Sequence, residues 1–181
     1  MPMRQDSTIL DGDVFLDRCA PALAQLHALW ESKHVMDALP ARAAFDPVEF
    51  RPWLGRLGLL DVLAGALPDG ADFRYRLIGT GIVVQVGCDL TGERVSNASM
   101  TADIPAALAN LRAICANRAP RWRDDLVLCV DGTRMAGERL YLPLASDGEN
   151  VDMILFCMLH AREADGSPAV LPDDPFWSQL A

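Results

Sequence analysis

The sequence is poor in paired cysteine, histidine, long apolar runs and positive charge, and each shortage removes a class of function. Its 5 cysteines, Cys19, Cys88, Cys115, Cys129 and Cys157, are odd in number, widely spread and without a Cys-x-x-Cys pair. That spacing supports neither a disulfide framework nor a zinc knuckle, and it suits buried thiols in a reduced cytoplasmic protein. No apolar segment approaches the roughly 18 residues that cross a bilayer. The opening MPMRQDSTILDGDVF has no apolar stretch ending in a small-residue cleavage site, so neither a membrane nor a secretory route is expected. Lys and Arg number 16 against 25 Asp and Glu, a net charge of -9. Such a surface repels DNA, RNA and anionic lipid, and no nucleic-acid partner is expected. Gly-x-Ser-x-Gly and Gly-x-x-x-x-Gly-Lys are missing, which leaves no recognisable nucleophile elbow or phosphate loop. Repeats and low-complexity tracts are missing too.

What is there suffices for one domain: 181 residues, 51% of them hydrophobic, can bury a sizeable core. Leu16, Cys19, Leu23, Leu26 and Trp30 fall three or four apart, the stripe of an amphipathic helix that Pro21 either interrupts or starts. The stripe can lie on its own domain or pair with a second copy, and its heptad-like register favours pairing. Leu16, Leu23, Leu26 and Trp30 are therefore the expected dimer or partner contacts. Pro40, Pro47 and Pro52 mark an ordered connector, with Asp46-Pro47 as a turn or helix start.

Leu57–Ala64 and Ala71–Ile78 read as a hairpin around GALPDG, with Phe73, Tyr75 and Leu77 on one face and Arg74, Arg76 and Ile78 on the other. Ile82–Val86 is strand-like in composition, although periodicity cannot decide so short a segment. Asp103 and Pro105 open a helix carrying Ile104, Leu108, Leu111, Ile114 and Cys115 at helical spacing. Three strands, Asp125–Val130, Met135–Leu142 and Val151–His160, follow, separated by Asp131-Gly132 and Asp147-Gly148. The last is apolar on both faces, as a covered central strand should be. Arg121-Trp122-Arg123 reads as a solvated loop in which an arginine packs on the indole. A half-buried Arg76 needs a carboxylate, and an Arg76–Glu138 pair supplies one without any function. The alternative leaves Arg76 or Arg42 to take a ligand carboxylate bidentately.

This order, together with the motifs in it, resembles the PAS fold. The resemblance rests on Trp30, on Leu39-Pro40-Ala41-Arg42 and Asp46-Pro47, and on Phe73-Arg74-Tyr75-Arg76-Leu77 running into Gly79-Thr80. It continues through Asp89-Leu90-Thr91-Gly92 to Leu140-Tyr141-Leu142-Pro143-Leu144 with Asp147-Gly148. They are similar to a subfamily of short, mostly standalone alphaproteobacterial PAS proteins catalogued as a domain of unknown function, and the likeness runs from about Trp30 to about His160. It implies an α+β domain with a PAS-like five-stranded antiparallel sheet and helices between strands two and three, preceded by the amphipathic helix. It makes Ile82–Val86 a short helix. The expected organisation is an N-terminal extension over 1–38, the PAS-like domain over 39–162 and a tail over 163–181.

In such a fold the inner sheet face and the long helix enclose a site, here lined by Phe73, Tyr75, Leu111 and Cys115. Tyr141, Thr80 and Thr91 supply further hydroxyls, and Arg42 and Arg76 are the candidate anchors. The same apolar residues also describe a filled core. Haem in PAS domains hangs from a histidine on the long helix, and Asp103–Asn117 has none; His27, His34 and His160 lie elsewhere. A thiol-adduct flavin needs a run like Asn-Cys-Arg-Phe where this chain has Gly87-Cys88-Asp89-Leu90, so neither cofactor is expected and none is assigned. The expectation is a cytoplasmic, non-enzymatic sensory or regulatory module, a homodimer with a small-molecule ligand. Beside the core the length leaves no room for a kinase, cyclase or DNA-reading domain, so the signal passes to a separate effector protein. The alternatives are a ligand-free protein–protein scaffold and a cryptic hydrolase or thiol enzyme.

Overall fold

The computed structural model describes residues 8–97, 103–128 and 134–160. Six strands form one antiparallel sheet: β1 (Thr8–Asp11), β2 (Leu57–Leu67), β3 (Gly70–Ile78), β4 (Arg121–Leu128), β5 (Arg134–Leu144) and β6 (Met153–His160), in the order β1-β4-β5-β6-β2-β3. Three α-helices accompany it: α1 (Pro21–Glu31), α2 (Thr80–Val86) and α3 (Ile104–Asn117). Five of the strands match the sequence expectation, and β6 is central, between β5 and β2. β1 is an addition: TILD is too short to announce itself, and it becomes a strand by pairing Thr8 with Asp124 and Asp11 with Arg121 at the β4 edge.

Local chemistry sets the ends of the helices. α1 starts at Pro21, whose missing N–H costs nothing in a first turn, so Leu16 and Cys19 precede the helix. Asp46 caps the 3-10 helix Pro47–Trp53, and Glu49 reaches back to the Asp46 N–H in a reciprocal box. Asp103 accepts the Ala106 N–H at the start of α3, with Pro105 in the first turn. Ile82–Val86 is helical, as the resemblance implies and strand-like composition does not. The turn expected at Asp131-Gly132, together with Cys129 and Val130, lies outside the described residues.

All five expected strands differ by a few residues from their expected bounds. β2 and β3 run on to Leu67 and from Gly70, leaving Pro68-Asp69 as the turn. β3 also loses its alternation: Leu59 pairs with Leu77 but Leu60 pairs with Tyr75, so Arg76 is bulged out. In consequence Leu77 is exposed and Ile78 packs inward with Phe73 and Tyr75. β4 starts at Arg121, and Arg121-Trp122-Arg123 is therefore strand, with Trp122 buried in the core.

Both faces of the sheet are covered. On one, α1 and the connector bury Leu23, Leu26, Trp30, Phe45, Phe50 and Trp53 against Leu57, Leu140, Leu142, Leu155 and Cys157. On the other, α2 and α3 bring Ile82, Val86, Leu108, Leu111 and Ile114 against Leu60, Phe73, Tyr141, Ile154, Phe156 and Met158. The helix stripe expected to pair with a second copy is thus taken up by the chain's own core. Leu23, Leu26 and Trp30 are buried, Leu16 packs beside them, and the Trp30 indole donates to the Pro143 carbonyl at 2.9 Å. The residues α1 leaves outside are Pro21, Gln25, Ala28 and Glu31. No helix among the described residues is long and apolar enough to cross a membrane.

Candidate functional site

Strand alternation sorts the polar residues of β4 and β5 onto the two faces. Trp122, Glu138, Leu140 and Leu142 point toward α1, while Arg121, Arg123, Asp125, Arg139 and Tyr141 share the α3 face. Arg121 joins three elements there, binding Asp11 of β1 through Nε and Nη2 and the Asn110 carbonyl and side-chain oxygens of α3 through Nη1. Arg112 of α3 holds the Asp69 carboxylate at 2.8 and 3.0 Å and the Ala71 carbonyl at 2.9 Å, fixing the helix over the β2–β3 turn.

Arg123, Asp125 and Arg139 form a compact charged cluster. Arg123 and Arg139 are direct cross-strand partners, an arrangement that repels unless an anion lies between them. Asp125 provides it, one carboxylate oxygen accepting from each guanidinium Nη2. The side chains of Arg123, Arg139 and Asp125 are only 18%, 17% and 8% exposed, so most of their hydration is gone. Burial alone would lower the Arg139 pKa; the Tyr141 phenol, Asp125 and the Tyr75 phenol outweigh it, and the pKa lies above the ordinary arginine value. Nε of Arg123 and Nε of Arg139 are buried without a hydrogen-bond acceptor. Beside the cluster the packing is aromatic: Phe156 lies 6.0 Å from Tyr141 and 6.5 Å from Tyr75, centroid to centroid, and Phe156 and Tyr141 are buried.

Of the ligand residues expected from sequence, the fold gathers Phe73, Tyr75, Leu111, Cys115 and Tyr141 on this α3 face. It does not bring the others to it. Arg42 lies on the α1 side, donating to the Phe45 carbonyl and stacked over Phe50 at 5.4 Å. Arg76 is bulged out and exposed, and with Arg74 it binds Asp61. Thr80 is exposed at the first turn of α2, and Thr91 is exposed in a turn held by Asp89. The Arg76–Glu138 pair does not form, because the two residues stand on well-separated strands and Asp61 is the nearer carboxylate.

The sequence reading missed Arg123 and Arg139. The available signal was the alternation of Arg121, Arg123 and Asp125 around Trp122 directly after Pro120, a period of two that marks a strand with one polar face. His34 closes α1 by contacting the Trp30 and Glu31 carbonyls, while His27 is buried between Phe15 and Trp30 with Nε2 3.1 Å from Asp13. Burial, with Glu93 and Asp89 nearby, pushes the Cys88 thiol up, so it stays protonated at neutral pH. Among the described residues no three His, Cys, Asp or Glu side chains gather as a metal site.

A family model described as PAS domain matches residues 18–159. Among solved structures the chain is similar to the dark structure of the blue-light photoreceptor Aureochrome1 LOV, at 15% identity and a TM-score of 0.49 over 67% of this chain and 87% of that one. It is also similar to the PAS domain from Bordetella pertussis BvgS, at 13% identity and a TM-score of 0.46 over 78% of this chain and 90% of that one. A third, an RNA-binding Light-Oxygen-Voltage receptor, matches at 12% identity and a TM-score of 0.48 over 86% of this chain, which spans 38% of that longer one. No curated protein matches the chain.

Proposed function

The chain belongs to the PAS domain family, and from that premise we propose that it is a sensory or regulatory module holding a small molecule on the α3 face of its sheet. The observation that carries this reading is the Arg123–Asp125–Arg139 cluster. Charges removed from water contribute less to stability than apolar residues of the same size would, and a face otherwise lined by Phe73, Leu111, Phe156 and Met158 has no structural need of them. Their value is in recognition, where two pre-positioned guanidiniums favour one ligand over others.

Output passes through β5. Arg139 and Tyr141 face the ligand side and their neighbours Glu138, Leu140 and Leu142 face α1, so a backbone shift at one is felt at the other. α1 and the surface beside it then dock on a separate effector protein in the cytoplasm, and the module performs no catalysis of its own. Native mass spectrometry of protein purified without refolding tests this, followed by identification of what denaturation releases. A stoichiometric small molecule is the expected result. Bare protein that also fails to bind any member of a metabolite panel would favour the scaffold reading, in which the α3 face is simply filled core.

A further inference from the structure

We propose that Val35 and Met36 are the docking surface for the effector: a fixed apolar projection with an acidic rim, which fits an apolar hollow rimmed by lysine and arginine on a separate protein. The proposal rests on the output side of the reading above and names the partner's chemistry. Val35 and Met36 are 72% and 93% exposed, side by side in the turn that follows α1. Met36 has a φ of 56°, the left-handed region that Gly or Asn would occupy with less strain. Its side chain stands almost wholly in water, so no packing within the chain offsets that strain. Contact with a partner would offset it, and an unbranched thioether adapts to the shape of a hollow.

The projection is held in place from both ends. The Ala38 N–H closes the turn on the Val35 carbonyl at 3.1 Å, Leu39 donates to the Gly148 carbonyl at 2.9 Å, and the Pro40 carbonyl accepts from Ala145 at 3.1 Å. With Trp30 bound to Pro143, these bonds seat the turn on the end of β5, the strand that carries output, so the two move together.

The same bonds set the rim. They bring the 146–150 turn against Ala38 and Leu39, where Asp147 and Glu149 are exposed, and Asp37 is exposed in the projection itself. Lys33 is neutralised by Glu49 at 2.7 Å, and Arg118, which donates to the Gly148 carbonyl, is outnumbered by the three carboxylates. Charge then decides between occupants. A second copy brings a net charge of -9, and the chain's own residues 161–181 carry Glu163, Asp165, Asp173 and Asp174 against Arg162. Both meet like charge at the rim, whereas a basic partner does not.

The test places the photocrosslinker p-benzoylphenylalanine at Val35 of the full chain in its native cells, with the comparably exposed Val84 of α2 as control. The protein joined at position 35 is identified and purified, and its affinity for the unmodified chain is measured. One partner should be joined from position 35 and not from 84. Met36→Asp should weaken its binding by about tenfold or more, as should Asp37→Lys combined with Glu149→Lys. Added salt should weaken it too, while Glu93→Lys, a charge reversal beside β3, should leave it within about twofold. Met36→Asn should melt about 2 °C above the wild type, because it relieves the left-handed strain and removes no packing. A lower melting temperature would show that Met36 serves the fold, and would overturn the proposal. An adduct with a second copy or with residues 161–181, no adduct from position 35 beyond that from 84, or a partner indifferent to the charge reversals would each overturn it as well. A stoichiometric small molecule released from the same protein would leave the sensory reading standing in any of those cases.

Discussion

Glu138 accepts the Trp122 indole N–H at 3.0 Å, and the same carboxylate oxygen accepts the Ala20 backbone N–H at 2.8 Å. Ala20 stands at the N-terminus of α1, where the helix has no side-chain cap of its own. A carboxylate from the middle of the sheet thus satisfies an N–H at that end, and its charge is favourable beside the positive end of the helix. The tether explains why Glu138 is not available to Arg76.

Removing that tether should loosen α1. Glu138→Ala is expected to lower unfolding stability by about 1–3 kcal/mol, since it leaves two donors without their acceptor. Glu138→Gln, which keeps an acceptor oxygen, should lose less. Urea unfolding of both variants measures the difference, and equal losses would show that the hydrogen bonds are not what matters.

Gly79 is held by close backbone approach. A Cβ there would lie 2.5 Å from the Gly55 carbonyl carbon and oxygen and 2.8 Å from the Leu57 oxygen, and backbone cannot move aside as a side chain can. Gly79→Ala should cost roughly 2–3 kcal/mol, as overpacking does. Gly92→Ala meets no atom within 4 Å and carries only the strain of its φ of +89°, so a loss of about 1 kcal/mol is expected. Thermal unfolding that ranks them the other way would contradict the close approach.

Acid should weaken the fold through Asp61 and Asp147. Burial works to raise the Asp61 pKa, but the bonds from Arg74 and Arg76 outweigh it and hold the carboxyl below its ordinary 3.8. Asn150, through its side chain and backbone, and the Glu149 N–H bring Asp147 down to about 2. Both groups titrate lower folded than unfolded. Their stabilisation is therefore complete above about pH 4, near the unfolded carboxylate value, and is lost as pH falls through the folded values. The urea midpoint of the wild type should fall below pH 4, and Asp61→Asn should flatten that fall while starting from a lower midpoint at pH 7.

Thiol reactivity should separate two cysteines from the rest of the described set. Burial pushes Cys157 up to about 12 and Cys115 up to about 11. With iodoacetamide at pH 8, Cys157 should stay unmodified in the native protein and react only on unfolding, with Cys115 reacting slowly; peptide mass mapping distinguishes them. Rapid native alkylation of Cys157 would mean that the α1 face opens far more readily than its packing implies.

Much of the fold is written in local chemistry. Asp103 with Pro105, Asp46 with Pro47 and the apolar run of β6 each carry their own signal, because caps, prolines and alternation act within a few residues. Pairing across distance leaves no such mark. Nothing near Thr8 indicates a partner at Asp124, and nothing in FRYRLI shows that Arg76 is bulged, since the bulge arises from the register with Leu59 and Leu60. The site divides in the same way. Phe73, Tyr75, Leu111, Cys115 and Tyr141 were legible from a face and a helix stripe. Arg123 and Arg139 meet only because β4 and β5 align them, and composition alone assigned Arg123 to a loop.

The sheet has two margins, and the chain treats them differently. The short β1 lies along the first half of β4 and is the outer strand there, and β3 is the outer strand on the other side. Tyr75 there exchanges backbone hydrogen bonds with Glu93 and Gly92, and Arg74 and Arg76 stand half exposed beside Asp61. A bulged margin carrying two guanidiniums, partly covered by a turn, is a poor template for another strand. A second strand would have to displace that turn and straighten the bulge before it could pair along β3.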